Sequence, residues 1–309
     1  MSKIKLHIVE IFYGHRCNLS CQGCSSVSDH IKDYDDDPSL ESIFESIENL
    51  SKSVYPKSID LMGGELFLYW DRIKQIIPKI REHFPKTLIS MTTNGMLLEK
   101  HADEVVEISK KYHPCVLEVT NHFTLFPEDS LTDNYKKKIE NFVSKNNFVQ
   151  KDKTEEEMWD KTYLIEFRTK GDETYENENM DLHLTKPVNF YPGYFKNEAG
   201  KLKPFATNDP EGSYEKGCSM PVCHLLLDNK LYKCSWFAFL PRLLKRNGQE
   251  GDPDWDKYLG YKPLDLENAD QQDLIDFYQN SNKAISLCDM CSNQEKHMIK
   301  HDRSTVLPE

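Results

Sequence analysis

The sequence of 309 residues lacks any long apolar segment. No run approaches the roughly 18 apolar residues that a membrane-spanning helix needs. The N-terminus, MSKIKLHIVEIFYGHRC, has neither the extended apolar stretch nor the small-residue cleavage site of a signal peptide. No internal repeat is present. We therefore expect a cytoplasmic protein that does not enter a membrane.

Basic residues are also scarce relative to acidic ones. The chain has 39 Lys and Arg against 51 Asp and Glu, a formal net charge of −12. This balance disfavours a nucleic-acid partner held through its phosphates. Aromatic residues are plentiful, with 15 Phe, 15 Tyr and 4 Trp. They can fill a sizeable core, so the composition excludes wholesale disorder.

Cysteine is too sparse for a disulfide scaffold, and its count of nine is odd. Cysteines that cluster in a cytosolic protein usually bind metal. Eight of the nine form two groups: Cys17, Cys21 and Cys24, and Cys218, Cys223, Cys234, Cys288 and Cys291. Cys115 stands alone before an apolar run, which favours a small buried thiol over a ligand.

Along the chain, short apolar strands alternate with amphipathic helices. The predicted strands are 6–13, 58–62, 87–93, 115–120 and 162–169. The predicted helices are 40–50, 70–83, 99–112, 133–148 and 268–282, the first with Asp37 as N-cap and Pro38 at its first position. This order predicts right-handed βα crossovers and a parallel sheet or barrel.

Charges at alternate strand positions suggest a polar interior. Glu118 and Thr120 share one face of their strand, and Glu166 and Arg168 share one face of theirs. Helices cover the other face of a parallel strand, so these groups should point into a barrel lumen or a sheet mouth. Exposure at a strand end, or an internal Glu–Arg pair, would explain them equally well.

The pattern changes after about residue 205. A segment rich in Gly, Pro and acidic residues precedes Cys218, and CHLLLDNKLYKC reads as a hairpin that turns at Asp228-Asn229. We expect a boundary here, with one domain at 1–205 and a smaller α+β domain at 206–309.

The first cysteine group has the spacing C-x3-C-x2-C and follows the first predicted strand. Three thiolates leave a fourth position open. A closed zinc site needs four ligands, whereas a 4Fe–4S cluster held by three cysteines leaves one iron free. His15 or His30 could complete a zinc site.

The segment HRCNLSCQGC at 15–24 resembles the cluster loop of the radical S-adenosylmethionine (radical SAM) superfamily. Gly63-Gly64-Glu65 follows the second strand and is similar to the GGE motif that binds the amino group of the methionyl moiety. Thr93-Asn94-Gly95 follows the third and is similar to the TNG segment of relatives with auxiliary clusters. One departure is Gly23, where the family usually has an aromatic residue whose backbone contacts the adenine.

This resemblance implies a partial (β/α)6 TIM-like barrel in which Cys17, Cys21 and Cys24 bind the cluster. It implies that Gly63, Gly64, Glu65, Thr93 and Asn94 contribute to S-adenosylmethionine binding. Fold position adds further candidates for the cofactor or substrate: Thr120, Asn121 and Arg168. The activity implied is reductive cleavage to a 5′-deoxyadenosyl radical, which takes hydrogen from the substrate.

The second cysteine group resembles the auxiliary-cluster domains called SPASM and twitch. Cys218 and Cys234 flank the predicted hairpin, Asn229 stands where the family usually has glycine, and Cys288-x2-Cys291 supplies a second pair. The shorter, twitch-like form with one extra 4Fe–4S cluster is expected. Cys223 is surplus and could replace Cys218. A structural zinc site would use the same spacing.

The expected function is that of an oxidoreductase or isomerase acting on a small polar molecule by oxidation, epimerisation or rearrangement. Its auxiliary cluster would transfer electrons, and an external reductant such as flavodoxin or ferredoxin would supply them. One alternative is an enzyme that modifies a ribosomal peptide. Another, from a different class, is a non-catalytic zinc or iron–sulfur protein.

Overall fold

The computed structural model describes residues 3–31, 34–120, 130–150, 173–176, 180–185, 192–218, 223–297 and 305–306. The helices are α1 Leu40–Ser53, α2 Trp70–His83, α3 Leu98–Lys111, α4 Ser130–Lys145, α5 Pro210–Gly217, α6 Ser235–Arg246, α7 Asp256–Leu259 and α8 Gln271–Ser281. The strands before residue 190 are β1 Ile4–Phe12, β2 Leu19–Ser20, β3 Val54–Met62, β4 Leu88–Thr93, β5 Cys115–Thr120, β6 Val149–Gln150, β7 Glu173–Glu176 and β8 Asp181–Thr185. The later strands are β9 Phe195–Lys196, β10 Leu202–Lys203, β11 Cys223–Leu227, β12 Lys230–Tyr232, β13 Leu264–Asp265 and β14 Thr305–Val306.

One sheet of ten strands organises the molecule, in the order β13-β12-β11-β1-β3-β4-β5-β8-β7-β6. The central run from β11 to β8 is parallel throughout, and the strands at both ends are antiparallel. This confirms a mixed α/β fold with a large, mostly parallel sheet, as in a TIM-like arrangement. The polar ends of its parallel strands are therefore brought to a single edge.

The two faces of the sheet differ in composition. On the outer face, alternate residues such as Val9, Ile59 and Leu117 join the main hydrophobic core with the apolar sides of helices α1 to α4. We call the opposite side the inner face; Glu10, Asp60, Ser90 and Glu118 alternate with those core residues. Polar groups thus collect on the face that these helices do not cover.

The start of α1 corrects one expectation. Ser39, and not Asp37, is the N-cap, because its side chain accepts a hydrogen bond from the Ser42 amide at 3.1 Å. Asp37 instead accepts from the His15 amide at 2.8 Å and from the Tyr69 hydroxyl at 2.7 Å. Its carboxylate is used to fix the loop after β1. The helix predicted at 133–148 also begins and ends three residues earlier, at Ser130–Lys145.

The C-terminal hairpin turns at the predicted place. Asp228 and Asn229 have φ angles of 50° and 59°, the left-handed pair that a tight two-residue turn requires. Its first strand, β11, pairs in parallel with β1, so that Ile8 lies beside Cys223. The hairpin therefore extends the sheet. The boundary between 205 and 206 stays a prediction.

The strand expected at 162–169, with Glu166 and Arg168, lies outside the described residues, as does Asn121. The neighbour of β5 in the described sheet is β8. Within the described ranges, none of the helices is both long enough and apolar enough to span a bilayer.

Candidate functional site

The loop after β1 carries Cys17, Cys21 and Cys24, each partly buried and present as a thiol. Burial raises the pKa of the Cys17 thiol, and Glu65, Cys24 and Cys21 raise it further. Burial likewise raises the pKa of the Cys24 thiol. The Leu19 amide donates to Cys17 Sγ at 3.4 Å. These thiols therefore need a cationic partner before they ionise, and a bound metal centre would supply one.

The end of β3 is fastened to this loop through the backbone. The Gly64 amide donates to the Gly14 carbonyl at 2.8 Å, and the Glu65 amide donates to the Arg16 carbonyl at 2.9 Å. A Cβ atom at Gly64 would lie 2.0 Å from the Arg16 carbonyl oxygen. Only glycine permits so close an approach at this point.

Glu65 is 1% exposed and joins the ends of two strands. Its Oε1 accepts from Thr93 Oγ1 at 2.6 Å and from the Phe67 amide at 3.2 Å, and its Oε2 accepts from the Asn94 amide at 2.9 Å. Burial raises the pKa of this carboxyl, and the hydrogen bonds oppose the rise. Its contact with the cofactor stays a prediction, since these contacts already hold it between β3 and β4.

Asn94 completes the junction. Its Nδ2 donates to Asn18 Oδ1 at 2.7 Å and lies 4.0 Å from Cys17 Sγ. The cysteine loop, the GGE segment and the TNG segment, which are separated in sequence, therefore meet. Thr120, farther along the sheet edge, receives a 3.5 Å hydrogen bond from Thr185 Oγ1 on β8.

The two histidines proposed for a zinc site use their ring nitrogens elsewhere. His15 is 0% exposed, with Nδ1 2.9 Å from the Ser26 carbonyl oxygen and Nε2 3.4 Å from an Arg242 guanidinium nitrogen. Burial lowers the pKa of His15 to about 4. His30 lies 2.7 Å from the Tyr194 hydroxyl and 3.2 Å from the Asn247 amide nitrogen. Both rings hold the loop in place.

Four cysteines of the second group influence one another electrostatically. Burial raises the pKa of Cys234 to about 12, and Cys218 and Cys288 add to the rise. Burial also raises the pKa of Cys291 well above its usual value, and the charges of Cys234, Cys218 and Cys288 raise it further. Cys234 is the N-cap residue of α6, where the helix dipole favours a thiolate.

A buried lysine accompanies these thiols. Lys233 Nζ donates to the Asn280 carbonyl at 3.0 Å and to the Ser281 carbonyl at 2.7 Å. Burial lowers the pKa of Lys233, while Cys288 and Cys234 oppose the decrease. A fixed positive charge thus lies beside a group of potential thiolates.

Cys223, the surplus cysteine, has different neighbours. Burial raises the pKa of its thiol, and Glu10 and Asp60 contribute more to the rise than Cys218 does. Glu10 also hydrogen-bonds to the Cys223 side chain. Cys223 therefore lies among inner-face carboxylates.

Glu10 is a residue that our sequence analysis missed. It is 8% exposed on β1, and burial, then Asp60, raises the pKa of its carboxyl to about 8. The signal was present in the segment LHIVEIFY, a single charge within an otherwise apolar strand. Such a charge in a buried parallel strand needs an explanation.

Helix α6 joins the two cysteine groups. It begins after Cys234, and Phe239 packs on the His15 ring with centroids 5.1 Å apart. Arg242 donates to the Asp36 carbonyl at 2.8 Å.

Cys115 belongs to neither cysteine group. It is 2% exposed and lies in the main hydrophobic core, as predicted.

Within the described ranges, no three His, Cys, Asp or Glu side chains are grouped closely enough to hold a single metal ion. A 4Fe–4S cluster uses a different arrangement, because each thiolate binds its own iron. The chemistry of the cysteine triplet fits such a cluster, since three thiols are present on one loop and the rings of His15 and His30 are engaged elsewhere.

Among solved structures, the chain is similar to "Native anSMEcpe with bound AdoMet", with a TM-score of 0.42 and 14% identity over 89% of this chain and 81% of that chain. It is also similar to a histidine-tagged form of anSMEcpe with bound AdoMet, with a TM-score of 0.34 and 17% identity over 46% of this chain. In that second alignment, the chain spans 41% of the solved protein. Similarity at this level identifies neither a substrate nor the role of a residue.

A comparison with curated protein sequences gave no match. Residues 11–146, which include the cysteine triplet, the GGE segment and the TNG segment, match the Radical SAM superfamily. A domain of this kind implies a 4Fe–4S cluster and S-adenosylmethionine, which it cleaves reductively to a radical. Residues 11–146, somewhat less than half of the chain, are therefore similar to a radical SAM domain.

Proposed function

We propose that the chain is a radical SAM enzyme that takes hydrogen from a small polar substrate and carries a second 4Fe–4S cluster. One observation carries the proposal: three separate motif segments meet at the cysteine loop. Asn94 contacts Cys17, and the amides of Gly64 and Glu65 donate to the Gly14 and Arg16 carbonyls. A non-catalytic zinc or iron–sulfur protein would not need the last two segments at its cysteine loop.

In this proposal, Cys17, Cys21 and Cys24 bind the first cluster. Gly63 and Gly64 let the end of β3 pack directly against the cysteine loop, and we assign them to the cofactor site from their motif. Glu65 orients the ends of β3 and β4 beside that site. The bound cluster and S-adenosylmethionine together supply the 5′-deoxyadenosyl radical that abstracts hydrogen. Thr93, Asn94 and Thr120 line the same sheet edge, and we assign Asn121 and Arg168 to it from the sequence.

The second cluster is assigned to Cys218, Cys234, Cys288 and Cys291. Their mutual effects on pKa and the α6 N-terminus at Cys234 support this set. Cys223 is left out because Glu10 and Asp60 raise the pKa of its thiol more than Cys218 does. Ligation by four cysteines leaves no iron open, so this cluster would transfer electrons during an oxidation, an epimerisation or a rearrangement. Its domain would be twitch-like.

The external partners follow from the same chemistry. Reductive cleavage consumes an electron, so a flavodoxin or a ferredoxin would donate it. A small polar substrate is preferred over a ribosomal peptide, and nucleic acid is disfavoured by the net charge of −12.

Anaerobic reconstitution of the 309-residue chain tests the proposal. We expect about eight iron and eight sulfide per chain, as for two 4Fe–4S clusters. Adding dithionite and S-adenosylmethionine should then yield 5′-deoxyadenosine, measured by chromatography. The control is the chain with Cys17, Cys21 and Cys24 all changed to Ala, which should keep about four iron and form no product.

Three results would contradict the proposal. Stoichiometric zinc without 5′-deoxyadenosine would favour the non-catalytic alternative. Product formation by the triple variant would show that the cluster site has been misassigned. A precursor peptide consumed in place of small molecules would favour the peptide-modifying alternative.

A further inference from the structure

The inner face of the sheet carries a row of polar side chains below the cysteine loop. Glu10 on β1 lies beside Asp60 on β3, and Asp60 lies beside Ser90 on β4. Residues in register on parallel strands project from the same face, about 4.8 Å apart. The three side chains therefore form one row across adjacent strands.

A second polar row lies closer to the strand ends. Thr92 on β4 is in register with Glu118 on β5, and Glu118 is in register with His183 on β8. His183 Nδ1 is 3.8 Å from Glu118 Oε1. Ser90 and Thr92 are two residues apart on one strand, so the two rows share the inner face.

Glu10 has an unused hydrogen-bonding atom. Its Oε2 is buried and has no hydrogen-bond partner among the residues that the structure describes, and the same is true of the Ser90 hydroxyl. A buried carboxylate oxygen without a partner costs free energy, which a hydrogen-bond donor would recover. The charged or polar groups that act most strongly on Glu10 are Asp60 and Cys223, neither of them positive. The row is therefore complementary to a cation.

The position of this row suits a small molecule. Glu10 is two residues before Phe12, where β1 ends, so it lies about 7 Å below the edge that carries the cysteine loop. A molecule bound through one end at Glu10 would extend towards Cys17 and Asn94.

We propose that Glu10 and Asp60 bind an organic cation of the substrate, an ammonium or guanidinium group, at the base of the inner face. This inference rests on the proposed function and names the class of its substrate, an amine-bearing polar molecule. Ser90 accepts a further hydrogen bond from the same group. A bound cation favours the ionised form of Glu10, whose pKa is otherwise about 8, and charge-assisted hydrogen bonds to the two carboxylates then orient the substrate for reaction at the strand ends.

Binding without turnover tests this proposal. The reconstituted chain is titrated with methylammonium, ethanolamine and glucosamine. NaCl is the control for ionic strength, and glucose is the uncharged control for glucosamine. When the concentration of the cation is about ten times its Kd, its binding should raise the Tm of the protein by about 2 °C. Glu10→Gln should weaken its binding by about tenfold, since one charge-assisted bond is lost. Asp60→Asn should weaken it similarly, and Glu45→Gln on the exposed side of α1 should not.

Equilibrium dialysis of the unaltered protein with radiolabelled ethanolamine needs no variant, and so it remains decisive if Glu10→Gln fails to fold. Amine binding that NaCl and glucose do not reproduce, and that glucosamine competes away, supports the proposal. Equal behaviour of amines and neutral controls overturns it. A Tm rise with MgCl2 alone that Glu10→Gln removes also overturns it, in favour of a metal ion. These measurements omit S-adenosylmethionine, so a failure here is distinct from a failure to form 5′-deoxyadenosine.

Discussion

The two cysteine groups are built in different ways. The first occupies eight consecutive positions, 17–24, and backbone hydrogen bonds fasten it to the end of β3 at Gly64 and Glu65. The second is spread from 218 to 291 and depends on side-chain packing around α6 and on the buried Lys233. We expect the site held by backbone contacts to be disrupted by the addition of a single methyl group. We expect the site assembled from distant segments to respond to the removal of a nearby charge.

The largest effect is expected from Gly64→Ala. The new methyl group would collide with the Arg16 carbonyl oxygen, 2.0 Å from the Cβ position, and neither backbone can yield. We expect a loss of about 3 kcal/mol in the free energy of unfolding, loss of the first cluster and no cleavage of S-adenosylmethionine. Urea unfolding and iron analysis measure these changes.

The matched control is Gly248→Ala. Gly248, unlike Gly64, has a positive φ of 63°, but no atom of the described residues lies within 4 Å of a Cβ at this position. The Gly248→Ala variant should lose only about 1 kcal/mol in the free energy of unfolding, from left-handed backbone strain, and should keep all its iron. Normal iron content in Gly64→Ala would contradict the proposed importance of the backbone junction.

The next effect distinguishes Cys218 from Cys223. Cys218→Ala should remove the second cluster alone, about four iron, and retain cleavage of S-adenosylmethionine. Cys223→Ala should keep both clusters, because Cys223 lies among the inner-face carboxylates. Iron and sulfide analysis with electron paramagnetic resonance (EPR) would show the difference, and the reverse pattern would identify Cys223 as the ligand.

A smaller effect is expected from Lys233→Met. Its positive charge beside Cys234 and Cys288 would favour the more negative, reduced state of the proposed second cluster. Removing it should lower the midpoint potential by about 60 mV, a tenfold change in a one-electron equilibrium. A redox titration followed by EPR measures the shift. The exposed Lys262, changed to Met, is the control, and an equal shift there would implicate net charge.

The smallest effect belongs to Cys115, which lies in neither group. Burial raises the pKa of its thiol to about 11, opposed by Arg81. At pH 8, only about one molecule in a thousand would carry a thiolate there. Iodoacetamide should therefore label Cys115 slowly until urea unfolds the chain. Cys115→Ala should cost about 1 kcal/mol and leave the iron content unchanged.

Local sequence predicted the features that depend on neighbouring residues. The alternation of strands and helices predicted β1, β3, β4 and β5 and helices α1 to α3. The Asp228-Asn229 turn was predicted because a two-residue hairpin loop requires positive φ angles, which Asp and Asn adopt more readily than most residues. The three motif segments were identified from spacing and order, and a parallel sheet brings strand ends together.

Features set by distant contacts could not be predicted in this way. Asp37 was assigned to the α1 cap, but the His15 amide and the Tyr69 hydroxyl engage its carboxylate, and Ser39 takes its place. The pairing of β11 with β1 joins segments about 215 residues apart, which no local pattern encodes. The charge on Glu10 was visible in the sequence, but the lack of a partner for its Oε2 within the described part of the chain became evident only once β1 and β3 were aligned.

Helix α6 also sets the separation of the two cysteine groups. It starts at Cys234 in one group and, through Phe239 and Arg242, contacts His15 and Asp36 at the base of the other. Five to eight residues of helix span about 8 to 12 Å. Electron tunnelling depends steeply on distance, so a rigid element of this length would hold the transfer rate between the two proposed clusters constant when the surrounding loops move. A change in the length of α6 would then act on electron flow without touching a single ligand.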